Sequence, residues 1–333
     1  MGKKLSIGSW AYIFNQKVPT NDFHEIQHKL QHLGYEGVEL GSFGTHPTPF
    51  SHPTKADRAK LKKQVADHGL EFSAIAVDLW SFKKPGPSIL DENPTPYMAA
   101  FLGFTAFAAD LGIKIIRVDS VEPPDFFSTT GKDISPKVGM ERLINVWDKC
   151  SKMAADYGME VCWEFEPGFL FNKPSEILQL VDGVKAKGNP NFGVLYDTCH
   201  AHMAAAIGAN HQGGKEILPG GALELLEKLK GKITHVHLID SDGSLNEHNT
   251  STHNPFGTGS LDFDKLAPAL NKCGVKHDWW AVDLCFWPDA WDVTAQSKTY
   301  LDALRRKYPA CGRVFRFAGE RSARRSAAKR PRE

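Results

Sequence analysis

Eight short β-rich runs, each followed by a longer amphipathic or apolar segment, recur along the 333 residues. That repetition restricts the chain to folds in which parallel strands are joined by helical crossovers. The series opens with a strand over 5–10 and a helix over 20–33, where Phe23, Ile26, Leu30 and Leu33 fall on one face. It continues with a strand at 37–40, a helix opened by the cap-like Thr54 and carrying Leu61 and Val65, and a strand at 71–77. Helix 96–111 precedes strand 113–119, and helix 136–157 precedes strand 159–164. The second half repeats the unit with helix 174–185 and strand 192–197, helix 222–229 and strand 233–239, then helix 266–272 and strand 279–284. A helix over 293–306 closes the series. Gly112 and Gly158 stand between helix and strand, where a helix end takes a left-handed residue.

Eight strand-helix units predict an α/β fold of one kind, a single closed (β/α)8 barrel over residues 1–311. No GxGxxG follows the first strand, so a dinucleotide-binding open sheet loses its main signature. The long segments 41–53, 78–94, 120–135 and 201–220 all follow strands, and in a barrel such loops form the catalytic face.

Charge narrows the function classes. The net charge is +1, but the stretch 312–333 holds eight Lys or Arg against two Glu, which leaves the body at about −5. An acidic body argues against a nucleic-acid groove. The tail, rich in Arg, Ala and Ser without apolar periodicity, is expected to be a disordered basic end. Six cysteines without a CxxC pair are expected to be reduced thiols, placing the protein in the cytoplasm. The first residues lack the apolar core of a signal peptide, and no apolar run is long enough to cross a bilayer, so no membrane partner is expected.

The strand ends carry the chemistry. Glu164 ends the fifth expected strand and Asp197 the sixth, while His237 and Asp283 lie near the ends of the seventh and eighth. A charge directed into a barrel mouth must be hydrated, paired or bound to metal. Taken singly, each residue is equally well explained as a satisfied polar group or a helix N-cap. Together, three carboxylates would repel one another, and one divalent cation with mixed N/O ligands offsets that repulsion. Oxygen-rich ligation favours Mn2+ or Mg2+, although Co2+, Zn2+ and Fe2+ each tolerate part of the set.

Glu39 in Gly-Val-Glu-Leu, Glu164 in Trp-Glu-Phe-Glu-Pro-Gly, Asp197-Thr-Cys-His200, His235-Val-His-Leu-Ile-Asp240 and Phe256-Gly-Thr-Gly-Ser-Leu-Asp262 together resemble the sugar isomerase/epimerase superfamily of xylose-isomerase-like barrels. The resemblance extends over 5–308. It implies one catalytic metal, Mn2+ first, held by Glu164, Asp197, His237 and Asp283, with His200 contacting substrate beside it. Asp283 stands where most relatives place Glu. Its shorter arm would lengthen a metal bond or insert a water, and it departs from the familiar use of that position as a base. The run Val282-Asp-Leu-Cys-Phe-Trp-Pro-Asp-Ala-Trp291 more nearly resembles the catalytic subunits of bacterial C-glycoside deglycosidases, which share this barrel and act on 3-oxo-sugar C-glycosides with a small partner subunit.

Further residues gather at the expected mouth. Glu166 lies two positions beyond Glu164, as an alternative ligand or a carboxylate behind the ligands, and Pro167-Gly168 place it at the start of the loop. His235 shares a face with His237 but lies deeper, as a packed core histidine. His248 and His253, in the loop after the seventh strand, could reach substrate as acid or base. Arg117 and Asp119 share a face of the fourth strand and are expected to pair, with Asp119 nearer the mouth. Trp10 and Trp287 are among aromatic residues suited to sugar C–H faces. The expected catalytic set is Glu164, Asp283, His200 and His253. Expected substrate contacts are Trp10, Glu39, Asp119 and Glu166, together with His200, His248 and Trp287.

The resemblance thus implies a sugar isomerase or epimerase that removes a proton next to a carbonyl. The alternative is a lyase that uses the same first step on a 3-oxo-glycoside. A metal-dependent endonuclease is disfavoured by the acidic body, and a non-catalytic sugar-binding barrel is the third class. The expected partner is a small sugar or glycoside, and a homo-oligomer is left open.

Overall fold

Local punctuation sets the helix boundaries. Asp22 opens the helix Phe23–Leu33 by accepting from the backbone N–H groups of His24 and Glu25, and Gly34 closes it at φ 74°. Thr54 and Asp57 cap Lys55–Asp67 reciprocally. Ser135 caps Pro136–Ala155, whose first-turn proline has no N–H to leave unpaired. Gly112 and Gly158 both adopt positive φ, as their positions between helix and strand require.

The computed structural model describes residues 2–15, 17–80 and 86–309. Eight parallel strands lie within them: β1 Lys4–Ile7, β2 Gly37–Ser42, β3 Glu71–Val77, β4 Ile115–Val118, β5 Glu160–Glu164, β6 Phe192–Asp197, β7 Ile233–Leu238 and β8 Trp279–Val282. Neighbours pair in the order β1-β8-β7-β6-β5-β4-β3-β2. The ring is completed between β1 and β2, where Glu36 N donates to Leu5 O at 3.0 Å and Ser9 N to Glu39 O at 2.9 Å. The (β/α)8 barrel is therefore the fold. The basic segment 312–333 and Cys311 lie outside the described residues. Among those described, no helix is long and apolar enough to cross a membrane.

Strand alternation divides the side chains between two environments. Leu5, Ile7, Val38, Leu40, Ile116, Val118, Val161, Trp163, Val194, Tyr196, Val236, Leu238, Trp280 and Val282 join the large core cluster packed with the helices. The opposite face of each strand points into the barrel, where Ala74, Ile115, Cys162 and Leu195 form a small apolar layer. Residues two positions further along several of these strands are polar, and they build the site.

Three expectations require correction. The first strand stops at Ile7, and Trp10–Ile13 is a short helix. Trp10 folds its ring back over Gly8, where a Cβ would lie 2.3 Å from the indole. The fourth strand is limited to Ile115–Val118. The segment 201–220 is not a loop from its start, because the helix Thr198–His202 and a π-helical turn Met203–Ile207 follow β6 directly. Asp197, the last residue of β6, is the N-cap that starts this helix.

Asp240 explains the motif residues that stand outside the ligand set. Its carboxylate accepts from the backbone N–H groups of Ser241, Gly257, Gly259 and Leu261 at 2.9–3.1 Å. A Cβ at Gly259 would sit 2.4 Å from Asp240 Oδ1, so glycine is what permits this approach. Asp240→Ala should destabilise the fold by about 3 kcal/mol, the order expected for several amides losing a charged acceptor. Urea unfolding of the variant checks it, and a loss below about 1 kcal/mol would contradict this role for Asp240.

Candidate active site

The inward alternation carries Glu164, Asp197, His237 and Asp283 to the C-terminal ends of β5, β6, β7 and β8. Register sets their heights: Asp197 pairs with His237 and Glu164 with Leu195, while His237 pairs with Ala281, two residues before Asp283. Each of the four offers one ligand atom, all four atoms lie within 4.8 Å of one another, and all four residues are buried. His237 Nδ1 stands 3.0 Å from Glu164 Oε1 and 3.4 Å from Asp283 Oδ2.

The carboxylates divide their oxygens between two tasks. Asp197 Oδ1 accepts from Cys199 N at 2.7 Å and His200 N at 2.8 Å, which is the helix cap, whereas buried Asp197 Oδ2 has no hydrogen-bond partner. Asp283 Oδ1 accepts from Trp10 Nε1 at 2.9 Å and Cys285 N at 2.8 Å, leaving Oδ2 turned towards His237. The N-cap reading of Asp197 is therefore met by Oδ1 alone, which leaves Oδ2 free of that task. Burial raises the Asp197 pKa well above the carboxylate range, and the Asp283 and Glu164 charges push it in the same direction. A buried oxygen without a donor among three mutually repelling carboxylates and an imidazole is a donor set that fits a divalent cation.

Behind His237 lies a support that fixes its ring. His237 Nε2 donates to Glu39 Oε2 at 3.1 Å, and His235 Nε2 donates to the same oxygen at 2.8 Å. His235 also meets His277 Nε2 through Nδ1 at 3.1 Å, so the deeper histidine is a packed, hydrogen-bonded one. Burial opposes charge on Glu39, yet His237 and His235 hold its carboxyl well below the ordinary range. Burial alone would lower the His237 pKa, but Glu39 and Glu164 outweigh it and hold it well above the imidazole value. A carboxylate on the far nitrogen of a ligating histidine orients the ring and raises its basicity.

The four residues stand beside a cavity of about 290 Å³. Arg117 reaches in from β4, with Nε 2.5 Å from Glu164 Oε2 and NH2 3.1 Å from Asp119 Oδ1. The contact with Glu164 lacks hydrogen-bond alignment, so that oxygen has a counter-charge and no donor. The expected Arg117–Asp119 pair is present, and its extension to Glu164 was not expected. Glu166, just past β5, accepts from the Thr250 hydroxyl. Burial, with Asp119 and Glu164 nearby, pushes the Glu166 carboxyl up to about 8.

His200 and His253 pack edge to face with centroids 5.0 Å apart, and both line the cavity. His200 meets Ser251 Oγ through Nδ1 at 2.7 Å, and burial, then His253, lowers its pKa to about 3. His253 is buried, and neither of its ring nitrogens has a hydrogen-bond partner. His248 lies in the rim against Phe286, with ring centroids 4.1 Å apart. Trp10 lines the cavity.

Two expected substrate contacts lie elsewhere. Glu39 supports His235 and His237 from behind and does not line the cavity, and Trp287 packs partly buried against the core. Phe14, Phe43, Phe169 and Thr250 line the cavity without having been singled out from sequence. Their only signal was aromatic or hydroxyl character in segments that follow strands.

The inosose dehydratase of Histophilus somni (strain 129Pt) is 22% identical over 224 residues, covering 66% of this chain and 64% of its own length. The chain therefore spans slightly less than two thirds of that relative. The solved IOLI protein with a binding zinc atom superposes with a TM-score of 0.65 at 17% identity, covering 92% of this chain and 100% of that one. D-psicose 3-epimerase with D-tagatose, from Clostridium cellulolyticum H10, superposes with a TM-score of 0.66 at 15% identity, again covering 92% and 100%. At such identities the likeness establishes the barrel. Residues 28–306, well over half of the chain, match the xylose isomerase-like TIM barrel family, and the chain belongs to that family.

Proposed function

We propose that the protein is a divalent-metal-dependent sugar isomerase or epimerase that removes the proton next to a carbonyl of a keto-sugar or sugar derivative. The observation that carries this reading is the convergence of Glu164, Asp197, His237 and Asp283 within 4.8 Å of one another beside an aromatic-walled cavity. The inosose dehydratase and D-psicose 3-epimerase among similar proteins, and the zinc atom of the IOLI protein, support the same reading. Those four side chains would hold the cation, with Mn2+ proposed first. When bound it supplies Lewis-acid polarisation of a sugar carbonyl and the adjacent hydroxyl.

The chain's own groups handle the proton. His253 lines the cavity with unpartnered ring nitrogens, so its neutral ring has a lone pair that no protein group occupies. His200, fixed by Ser251, stands against it as the second proton carrier. Glu164 and Asp283 complete the catalytic set at the floor, the short arm of Asp283 being tied to Trp10. Asp119, Glu166 and His248 line the cavity where they can bind hydroxyls. Return of the proton to the neighbouring carbon isomerises the sugar, and return to the opposite face epimerises it.

A second reading is favoured by the flat walls from Phe14, Phe43, Trp80 and Phe286, which suit an aromatic aglycone. Here the electron pair left by proton removal expels a β substituent, giving an unsaturated ketone and the released aglycone, as in a 3-oxo-glycoside lyase with a small partner subunit. A deuterium-exchange screen in D2O with Mn2+, across ketoses and 3-oxo-glycosides, tests both. Solvent deuterium beside the carbonyl with an isomeric ketose is the expected result, and label with aglycone release supports the second reading. An isomeric ketose carrying no solvent label at any carbon would refute proton removal and indicate a hydride shift.

A further inference from the structure

On the outside of the barrel, His24 and His28 stand one turn apart on the helix Phe23–Leu33, and His68 caps the C-terminus of Lys55–Asp67. Residues at i and i+4 share a helix face, so the first two rings project together. Ring centroids are 4.6 Å apart for His24 and His28, 4.4 Å for His28 and His68, and 5.1 Å for His24 and His68. One nitrogen from each ring lies within 4.8 Å of the other two. None of the three lines the central cavity.

The tautomer of His68 is set by its neighbour. His68 Nδ1 lies 2.8 Å from Gln64 O, and a carbonyl only accepts, so Nδ1 carries the proton and the neutral ring keeps its lone pair on Nε2. That lone pair is aimed at His28 Nε2, 3.5 Å away. A tetrahedral ion with metal–nitrogen bonds of about 2.0–2.1 Å holds adjacent donors about 3.3–3.4 Å apart, so this pair needs almost no movement. A backbone carbonyl on the far nitrogen is also the usual support of a metal-bound histidine.

We infer that His24, His28 and His68 form a second metal site, separate from the barrel mouth, that takes a late first-row transition ion such as Zn2+ through three imidazole nitrogens and clips the two helices together. Imidazole donors suit Zn2+, Ni2+ or Cu2+, whereas Mg2+ prefers oxygen. His24 and His28 are exposed, which leaves the fourth position to water.

The test uses the full chain carrying Asp197→Asn, to weaken the central site, with and without His28→Gln. Zn2+ is titrated by calorimetry, and thermal midpoints are measured with and without it. The chain with intact histidines should bind one more Zn2+ than the chain with His28→Gln, or bind that equivalent at least about tenfold more tightly, and should gain more in midpoint. His24→Gln should repeat the loss, and Mg2+ should not distinguish the variants. Both substitutions lie on the exposed face, so metal-free circular dichroism should be unchanged. Equal Zn2+ stoichiometry, affinity and midpoint gain in all three chains would overturn the site, as would an equal effect of Mg2+. Because the readout is binding on the outer helices, failure here leaves the proposed sugar chemistry untouched.

Discussion

Asp197→Asn should lower kcat by roughly 10³-fold, about 4 kcal/mol of transition-state stabilisation, while the metal-free protein stays as stable as the parent or becomes more stable. Asparagine is as good an N-cap as aspartate, so its side-chain oxygen can still accept from Cys199 N and His200 N and start the helix Thr198–His202. The change removes charge from the oxygen that has no protein donor. Without a cation that charge is a liability, since burial, Asp283 and Glu164 all disfavour it. Its removal relieves repulsion in the empty barrel and weakens the site that a cation would occupy. Three measurements separate these effects: turnover in the presence of Mn2+, metal affinity, and thermal midpoint with and without metal. Unchanged turnover, or a large drop in the metal-free midpoint with metal affinity intact, would remove Asp197 from the site.

Glu39→Gln should weaken metal affinity by about 10- to 100-fold although Glu39 does not line the cavity. One oxygen, Glu39 Oε2, accepts from both His235 and His237. A glutamine carbonyl has less negative charge to offer the two donors, and its NH2 group, turned the other way, would face them with another donor. His237 then loses orientation and basicity on the nitrogen that faces Glu164 and Asp283. Metal titration checks the affinity, and the same titration on His277→Gln gives the effect of disturbing the more distant histidine. Equal affinity in Glu39→Gln and the parent would mean that the ring is held by packing alone.

The sequence by itself determined the eight strand-helix units, the helix start at Thr54, and the inward direction of Glu164, Asp197 and His237. These depend on periodicity and on caps within a few residues, which are local physics. The same locality explains the errors: Asp197 could be read as ligand or cap, but the five-residue helix it opens, Thr198–His202, is too short to show a helical period. Only the tertiary structure decided that Glu39 supports His237, because closing β1 against β2 brings together residues 198 positions apart. The reach of Arg117 to Glu164, the aromatic walls from separate loops and the grouping of His68 with His24 and His28 likewise depend on which strands and helices become neighbours. Spacing along a chain records what lies on one face of one element, whereas contacts between elements exist only once the barrel closes.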